Sequence, residues 1–146
     1  MQRILFVCTG NTCRSPMAEA ILRNKPIEAI EVRSAGIYAA NGSEASAHAQ
    51  KVLDDNGITH NHRSSLLTRA EVEWADLILT MTSSHKMAIL QQHPHVGQKV
   101  FTLKEFSGEG FQSDVVDPYG GSLAMYEQTF HELDELIDKV IGKLKE

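Results

Sequence analysis

A cysteine and an arginine near the N-terminus are the residues of this chain best suited to chemistry. Arg14 follows Cys8 by six positions, in a loop that comes after an apolar run typical of a β-strand. Pro16 comes next and suits the first position of a helix, where its missing N–H would be unpaired anyway. The backbone amides of such a loop point into a bowl at a helix N-terminus, which favours an anion. The spacing therefore predicts a phosphate or sulfate site.

Within this loop, Cys8 is the predicted nucleophile and Arg14 the predicted ligand of a phosphoryl group. A thiol that faces several N–H groups and a guanidinium is favoured as the reactive thiolate. The planar fork of Arg14 can hold two phosphoryl oxygens and follow them through an in-line displacement. A lone cysteine after a strand is more often a core residue, but Cys-x5-Arg-Ser in a strand–loop–helix setting favours catalysis. No Gly-Lys-Ser/Thr follows the glycine, which disfavours a nucleotide hydrolase.

The proton for the leaving group has to come from a distant part of the sequence, and Asp117 is the candidate. Asp-Pro by itself more often starts a turn, so only its pairing with the loop supports this role. A carboxyl close to a thiolate and a bound phosphate is expected to keep a proton for the leaving group and to recover one from water later. Asp114 is the nearby competitor, and the proline and tyrosine that follow Asp117 favour the latter.

The two segments together resemble the low-molecular-weight protein tyrosine phosphatases. Residues 8–16 match the signature loop Cys-x-Gly-Asn-x-Cys-Arg-Ser-Pro, and residues 117–119 match the Asp-Pro-aromatic acid loop. The resemblance spans essentially the whole chain. It implies that the reaction passes through a phosphocysteine intermediate and needs no cofactor. It also implies which residues are catalytic and which bind the substrate. The catalytic set is Cys8, Arg14 and Asp117, and the substrate-binding set is Thr9, Gly10, Asn11, Thr12, Cys13, Ser15 and Tyr119.

Further roles concern residues around the loop. Asn11 is expected to hold the loop in shape through a left-handed backbone conformation that asparagine tolerates. The resemblance implies that Ser34 and His62 tie this asparagine down. Cys13 either forms a reversible disulfide with Cys8 or is a thiol packed in the core, and the sequence does not distinguish these two interpretations. No metal site is expected, because two cysteines are too few and the histidine pairs lack helical spacing.

The choice of substrate depends on Thr12 and Gly120. Phosphotyrosine-specific members of the family usually carry a bulky aliphatic residue at the first position and an aromatic residue at the second. This chain has threonine and glycine at these positions instead, and both residues resemble the protein-arginine phosphatase branch of the family. Phosphoarginine is therefore the favoured substrate, and phosphotyrosine is the alternative. An arsenate reductase would need cysteines after Cys13, and the chain has none. An inert phosphate-binding module would not explain why a nucleophile, an arginine and an acid occur together.

Composition limits the remaining possibilities. With 146 residues, 42% of them hydrophobic, the chain predicts one domain over residues 1–146. No leader is visible and no apolar run approaches the ~20 residues that span a bilayer, so a cytoplasmic protein without membrane association is expected. A net charge of −5 without a basic stripe argues against nucleic acid. The expected partners are phosphorylated proteins, with inorganic phosphate as product, and the expected state is a monomer.

The elements that must position these residues alternate between strands and helices. Strands are predicted at residues 3–7, 30–36, 76–81 and 99–103. Helices are predicted at residues 16–24, 47–56 and 68–74, from a Ser83 cap to about 92, and along the amphipathic C-terminal segment. A loop is predicted over residues 107–121. The pattern predicts a doubly wound α/β fold, with a four-stranded parallel sheet between helices and a phosphate-binding loop after the first strand.

Overall fold

A computed structural model of the chain describes residues 2–109 and 114–145. Four parallel strands form one sheet in the order β2-β1-β3-β4. Their bounds are β1 Gln2–Cys8, β2 Ile30–Gly36, β3 Leu77–Thr80 and β4 Val100–Thr102. The predicted doubly wound α/β fold is confirmed.

Helices connect the strands and cover both faces of the sheet. The α-helices of the described residues are α1 Arg14–Arg23, α2 Ala47–Asp55, α3 Arg69–Trp74, α4 Ser83–Gln92, α5 Leu103–Ser107 and α6 Leu123–Leu144. A 3-10 helix, Pro94–Lys99, lies between α4 and β4. None of the helices in this part of the chain has both the length and the apolar character required to cross a membrane.

The central strand β1 supplies side chains to two hydrophobic cores, one on each face of the sheet. Ile4 and Phe6 are fully buried in the core built with α1, α2 and α6. Leu5 and Val7 are fully buried in the core on the other face, which includes residues of α3 and α4. Successive side chains of a strand point to opposite faces, so an uninterrupted apolar run is what a doubly covered strand requires.

Two helix starts differ from the sequence prediction. Helix α1 begins at Arg14 rather than Pro16, so the proline occupies the third helical position. The first turn tolerates proline because its N–H groups have no intrahelical partner. Helix α4 is capped by Thr82 rather than Ser83, since the Thr82 hydroxyl accepts a hydrogen bond from the N–H of His85.

The predicted loop over residues 107–121 also needs correction at its start. The short helix α5 occupies Leu103–Ser107, so the helix directly follows β4. Thr102 and Glu105 form a capping box at its N-terminus, and Gly108 ends it with a left-handed φ of 89°. The Thr-x-x-Glu pattern was the signal that the prediction overlooked. Residues 110–113 of the predicted loop lie outside the described residues.

The order of the strands defines the edge at which a ligand binds. The connection from β1 leads to β2 on one side, whereas β3 and β4 follow on the other side of β1. In open α/β sheets, ligands bind outside the carboxyl ends of the strands at such a switch point. Cys8 is the last residue of β1, so the fold places it at this edge.

Candidate active site

The Cys8 side chain lies at the bottom of the loop between β1 and α1. Only 2% of the residue is exposed, and its Sγ lies 2.8 Å from the hydroxyl oxygen of Ser15. The Nδ2 group of Asn11 donates to the same Ser15 oxygen at 2.8 Å. A serine hydroxyl has one hydrogen and two lone pairs, so Ser15 can accept from Asn11 and still donate its hydrogen to the Cys8 sulfur. The arrangement places a hydroxyl within hydrogen-bond distance of the Cys8 sulfur.

Asn11 holds the loop from behind and is fully buried. Its backbone φ is +57°, the left-handed conformation predicted from the sequence. Besides donating to Ser15, Nδ2 donates to the Ser34 hydroxyl at 2.9 Å, and Oδ1 accepts from the backbone N–H of Ser65 at 2.8 Å. Nε2 of His62 donates to the Asn11 carbonyl at 2.7 Å. The polar groups of this side chain are thus all paired, which fixes the strained backbone.

A carboxylate that the sequence analysis missed anchors this network. The Ser34 hydroxyl donates to Oε1 of Glu19, and Nδ1 of His62 lies 3.7 Å from the same oxygen. Burial raises the pKa of Glu19, but hydrogen bonds from His62 and Ser34 and the charge of Arg23 outweigh it, so the pKa is lowered from its ordinary value. Glu19 therefore stays ionised beneath the loop. Its position on the first helix was visible in the sequence, but its partners come from distant segments.

Gly36 supports the loop through the absence of a side chain. A Cβ built on it would lie 2.5 Å from the Thr9 carbonyl oxygen and 2.8 Å from the Asn11 nitrogen, closer than real contacts allow. The neighbouring N–H of Ile37 donates to the Cys8 carbonyl at 3.0 Å, so the end of β2 is pressed against the loop. The loop can approach the sheet this closely only if residue 36 is glycine.

Replacement of Gly36 by alanine is therefore expected to lower kcat/KM about 100-fold or more, because it pushes the catalytic loop out of register. Overpacking is also expected to destabilise the fold by about 1–3 kcal/mol. The same change at Gly142 on α6 is the matched control, since nothing lies within 4 Å of its added Cβ. Steady-state kinetics and thermal unfolding of both variants test the prediction. Full activity of Gly36→Ala would show that the loop adapts.

Arg14 is buried at the N-terminus of α1 with 4% of the residue exposed. Its Nη1 donates to the Val115 carbonyl at 3.0 Å, and its Nη2 lies 3.4 Å from Oδ2 of Asp117. The remaining guanidinium nitrogen, Nε, is buried and has no hydrogen-bond partner among the residues that the structure describes. A buried unpaired donor on a guanidinium is costly, and an anion in the pocket can satisfy it.

The segment after residue 113 brings one of two candidate acids to the loop. Oδ2 of Asp117 faces Arg14, and its Oδ1 accepts from the N–H of Tyr119 at 3.0 Å. Oδ1 of Asp114 accepts instead from the N–H of Ser83, at the start of α4. The N–H of Val115 donates to the Met81 carbonyl at 2.9 Å, which fastens this segment to the end of β3. Asp117, rather than Asp114, therefore faces the loop.

These residues surround a pocket of about 250 Å³. Its walls are formed by Cys8, Thr9, Gly10, Thr12, Cys13, Arg14, Asp117 and Tyr119. The side chains of Asn11 and Ser15, which were predicted to bind substrate, point behind the loop and do not line the pocket. Tyr119 is 78% exposed and forms part of the rim. The pocket joins a thiol, a guanidinium and a carboxyl from opposite ends of the chain.

Cys13 has its own buried partner. Its Sγ lies 3.2 Å from the hydroxyl oxygen of Tyr126 and 3.7 Å from that of Ser46. Burial and the hydrogen bond with Cys13 raise the pKa of Tyr126 to about 12, so this hydroxyl keeps its proton. Both cysteines are free thiols in this structure, and the Cys8–Cys13 disulfide stays a prediction.

Sequence comparison assigns this site to a family. Residues 3–146 match the sequence profile described as "Low molecular weight phosphotyrosine protein phosphatase". The chain belongs to this family. A protein-arginine-phosphatase of Geobacillus stearothermophilus is 51% identical over 143 residues, which cover 98% of this chain and 96% of the relative. The expected resemblance is thus confirmed over nearly the full length.

Solved structures of the family superpose closely on this one. The YwlE arginine phosphatase from Geobacillus stearothermophilus matches with a TM-score of 0.96 and 50% identity, covering 99% of this chain and 94% of that one. A Cys-to-Ser mutant of a YwlE arginine phosphatase with a phosphorylated active-site serine matches with a TM-score of 0.94 and 44% identity. That match covers 99% of this chain and 97% of the other.

Proposed function

We propose that this chain is a cysteine-dependent protein phosphatase that removes phosphate from arginine side chains of proteins. The observation that carries the proposal is that Cys8, Arg14 and Asp117 line one pocket together. These three side chains supply a nucleophile, a phosphoryl ligand and a proton donor, the groups that an in-line displacement at phosphorus needs.

Binding places the phosphoryl group over Cys8. The unpaired Nε–H of Arg14 and the loop amides at the N-terminus of α1 are the donors available to its oxygens. Arg14 also holds the Asp117 segment through the Val115 carbonyl, so one guanidinium orders both halves of the site. Entry of a phosphoryl group competes with Asp117 for Arg14 and leaves the carboxyl beside the leaving group.

The reaction then follows two displacements. The Cys8 thiolate attacks phosphorus, the bond from phosphorus to the guanidine nitrogen breaks, and Asp117 protonates that nitrogen. Water next attacks the phosphocysteine while Asp117 accepts its proton, so the S–P bond breaks and inorganic phosphate leaves. The Ser15 hydroxyl, 2.8 Å from Sγ, stabilises the departing thiolate.

Two positions support phosphoarginine over phosphotyrosine. Thr12 lines the pocket and presents a hydroxyl where tyrosine-specific relatives are expected to carry an aliphatic side chain. Gly120 adopts a φ of +76°, a left-handed conformation that an aromatic residue adopts only with strain. The acid loop therefore offers Tyr119 as its aromatic wall without a second ring after it. The family description keeps phosphotyrosine as the second candidate.

Paired peptides that differ only in phosphoarginine or phosphotyrosine test this choice. The unmodified enzyme is expected to have the higher kcat/KM on phosphoarginine. Thr12→Ile is expected to lower kcat/KM on phosphoarginine about tenfold more than on phosphotyrosine, because a hydroxyl that contacts the guanidinium, directly or through a water, is lost.

Thr12→Val serves as the matched control for this experiment, since it removes the hydroxyl at nearly constant volume. If the hydroxyl discriminates, valine and isoleucine shift the preference in the same direction. An equal loss on both peptides would remove Thr12 as the discriminator, and a higher kcat/KM on phosphotyrosine in the unmodified enzyme would favour the second candidate.

Other expectations accompany this function. We infer that phosphorylated proteins are the partners and that the chain acts as a monomeric single domain over residues 1–146. A reducing compartment such as the cytoplasm suits the free thiols of Cys8 and Cys13.

A further inference from the structure

Thr9 and His85 form a contact that the sequence motifs do not explain and the proposed reaction does not use. Oγ1 of Thr9 lies 2.8 Å from Nε2 of His85, although the two residues are 76 positions apart. Thr9 lines the pocket, whereas His85 on α4 is only 7% exposed. A buried imidazole thus holds a hydroxyl on the wall of the candidate active site.

The imidazole of His85 is neutral. Burial and the nearby charge of Arg14 lower the pKa of His85 to about 4, against smaller opposing effects of Asp114 and Asp117. A neutral ring carries one N–H, which sits on either Nε2 or Nδ1. Nδ1 is buried and has no hydrogen-bond partner in the described part of the chain.

The unpaired nitrogen decides between the two tautomers. With the proton on Nδ1, a buried N–H donor would stay unpaired, which is rare in native proteins and costly. With the proton on Nε2, that N–H donates to Thr9 Oγ1 and only an acceptor lone pair stays unpaired on Nδ1. The second arrangement is the favoured one, and in it the Thr9 oxygen is an acceptor from His85.

A hydroxyl that accepts from a buried ring still has one proton to donate. Thr9 lines the pocket in which the proposed function places the phosphoryl group, so that proton can be donated into the pocket. We propose that His85 is a positioning residue that makes the Thr9 hydroxyl a hydrogen-bond donor to a phosphoryl oxygen. This inference rests on the proposed phosphatase function.

Binding of inorganic phosphate to the folded protein, measured by calorimetry, tests the pair without relying on turnover. Thr9→Val and His85→Leu are each expected to weaken phosphate binding about tenfold, as loss of a hydrogen bond to a charged group implies. The double variant is expected to bind no more weakly than Thr9→Val alone, because both changes remove the same donor. Additive losses, or unchanged affinity in Thr9→Val, would overturn the proposal.

A conservative substitution of His85 distinguishes a positioning role from a role in packing alone. His85→Gln places an amide N–H within reach of the same hydroxyl, so it is expected to recover most of the affinity that His85→Leu loses. If His85→Gln unfolds at the normal temperature but binds phosphate no more tightly than His85→Leu, the role of the N–H is contradicted. His93→Leu, at the other end of α4, is the matched control and should bind phosphate normally.

The tautomer can be observed without any substitution. Long-range ¹H–¹⁵N correlation spectra of the unmodified protein are expected to show the His85 proton on Nε2, and a proton on Nδ1 would overturn the inference. Phosphate binding with the expected pattern but no turnover of phosphoarginine or phosphotyrosine peptides would refute the proposed function alone. Normal turnover with additive losses would refute the Thr9–His85 role alone.

Discussion

Cys8→Ser is expected to lower kcat by roughly 10⁴- to 10⁶-fold, the loss typical of removing a catalytic nucleophile. A serine hydroxyl is far less acidic than a thiol, and the Ser15 donor 2.8 Å from Sγ has no ionised group to stabilise in its place. The loop amides and Arg14 stay in position, so inorganic phosphate is expected to bind with affinity close to that of the unmodified protein. Turnover of a phosphoarginine peptide and calorimetry with phosphate measure the two effects separately.

Rapid acid quenching during turnover provides the direct check on this prediction. Mass spectrometry of the unmodified protein should locate one phosphate on Cys8. Cys13→Ser is the matched cysteine control and should still form that adduct, because the Cys13 sulfur forms a hydrogen bond with Tyr126 rather than with Ser15. Absence of any adduct at Cys8 during steady turnover would refute the covalent mechanism.

Asp117→Asn is expected to reduce kcat on phosphoarginine about 10²- to 10⁴-fold, the usual contribution of a general acid. Asparagine keeps the shape and the Oδ1 acceptor for Tyr119, but it has no proton to give to the guanidine nitrogen. Free guanidine is a strong base, so its departure without a proton is especially unfavourable. The loss should therefore be smaller for an aryl phosphate whose leaving group is a weak base. Comparison of kcat on the two substrates measures this dependence.

Asp114→Asn is the matched control for the acid. It makes the same change three residues earlier, and the new side chain can still accept from the N–H of Ser83. Its kcat on both substrates should stay within a few-fold of normal. If Asp114→Asn caused the larger loss, the assignment of the two carboxyls would be reversed. If Asp117→Asn affected both substrates equally, proton donation to the leaving group would not be its role.

The local sequence predicted well those features that depend on neighbouring residues. The strand before Cys8 and the left-handed Asn11 follow from an apolar run and from backbone preferences within about ten residues. The capping box that starts α5 is equally local, and it was overlooked rather than hidden. The predicted start of α1 was two residues too late, because proline is tolerated at any position of the first turn and so does not fix the first helical residue.

The sequence by itself predicted the proposed chemistry of the site, because the side chains of Cys8, Arg14 and Asp117 and the motifs that contain them can be read from the order of the residues. Only the tertiary structure decided how these groups are held. Three supporting contacts join segments that are far apart in the chain: Glu19 with His62, Gly36 with the loop, and His85 with Thr9. Such contacts depend on the register of strands and the packing of helices, which no single stretch of sequence encodes.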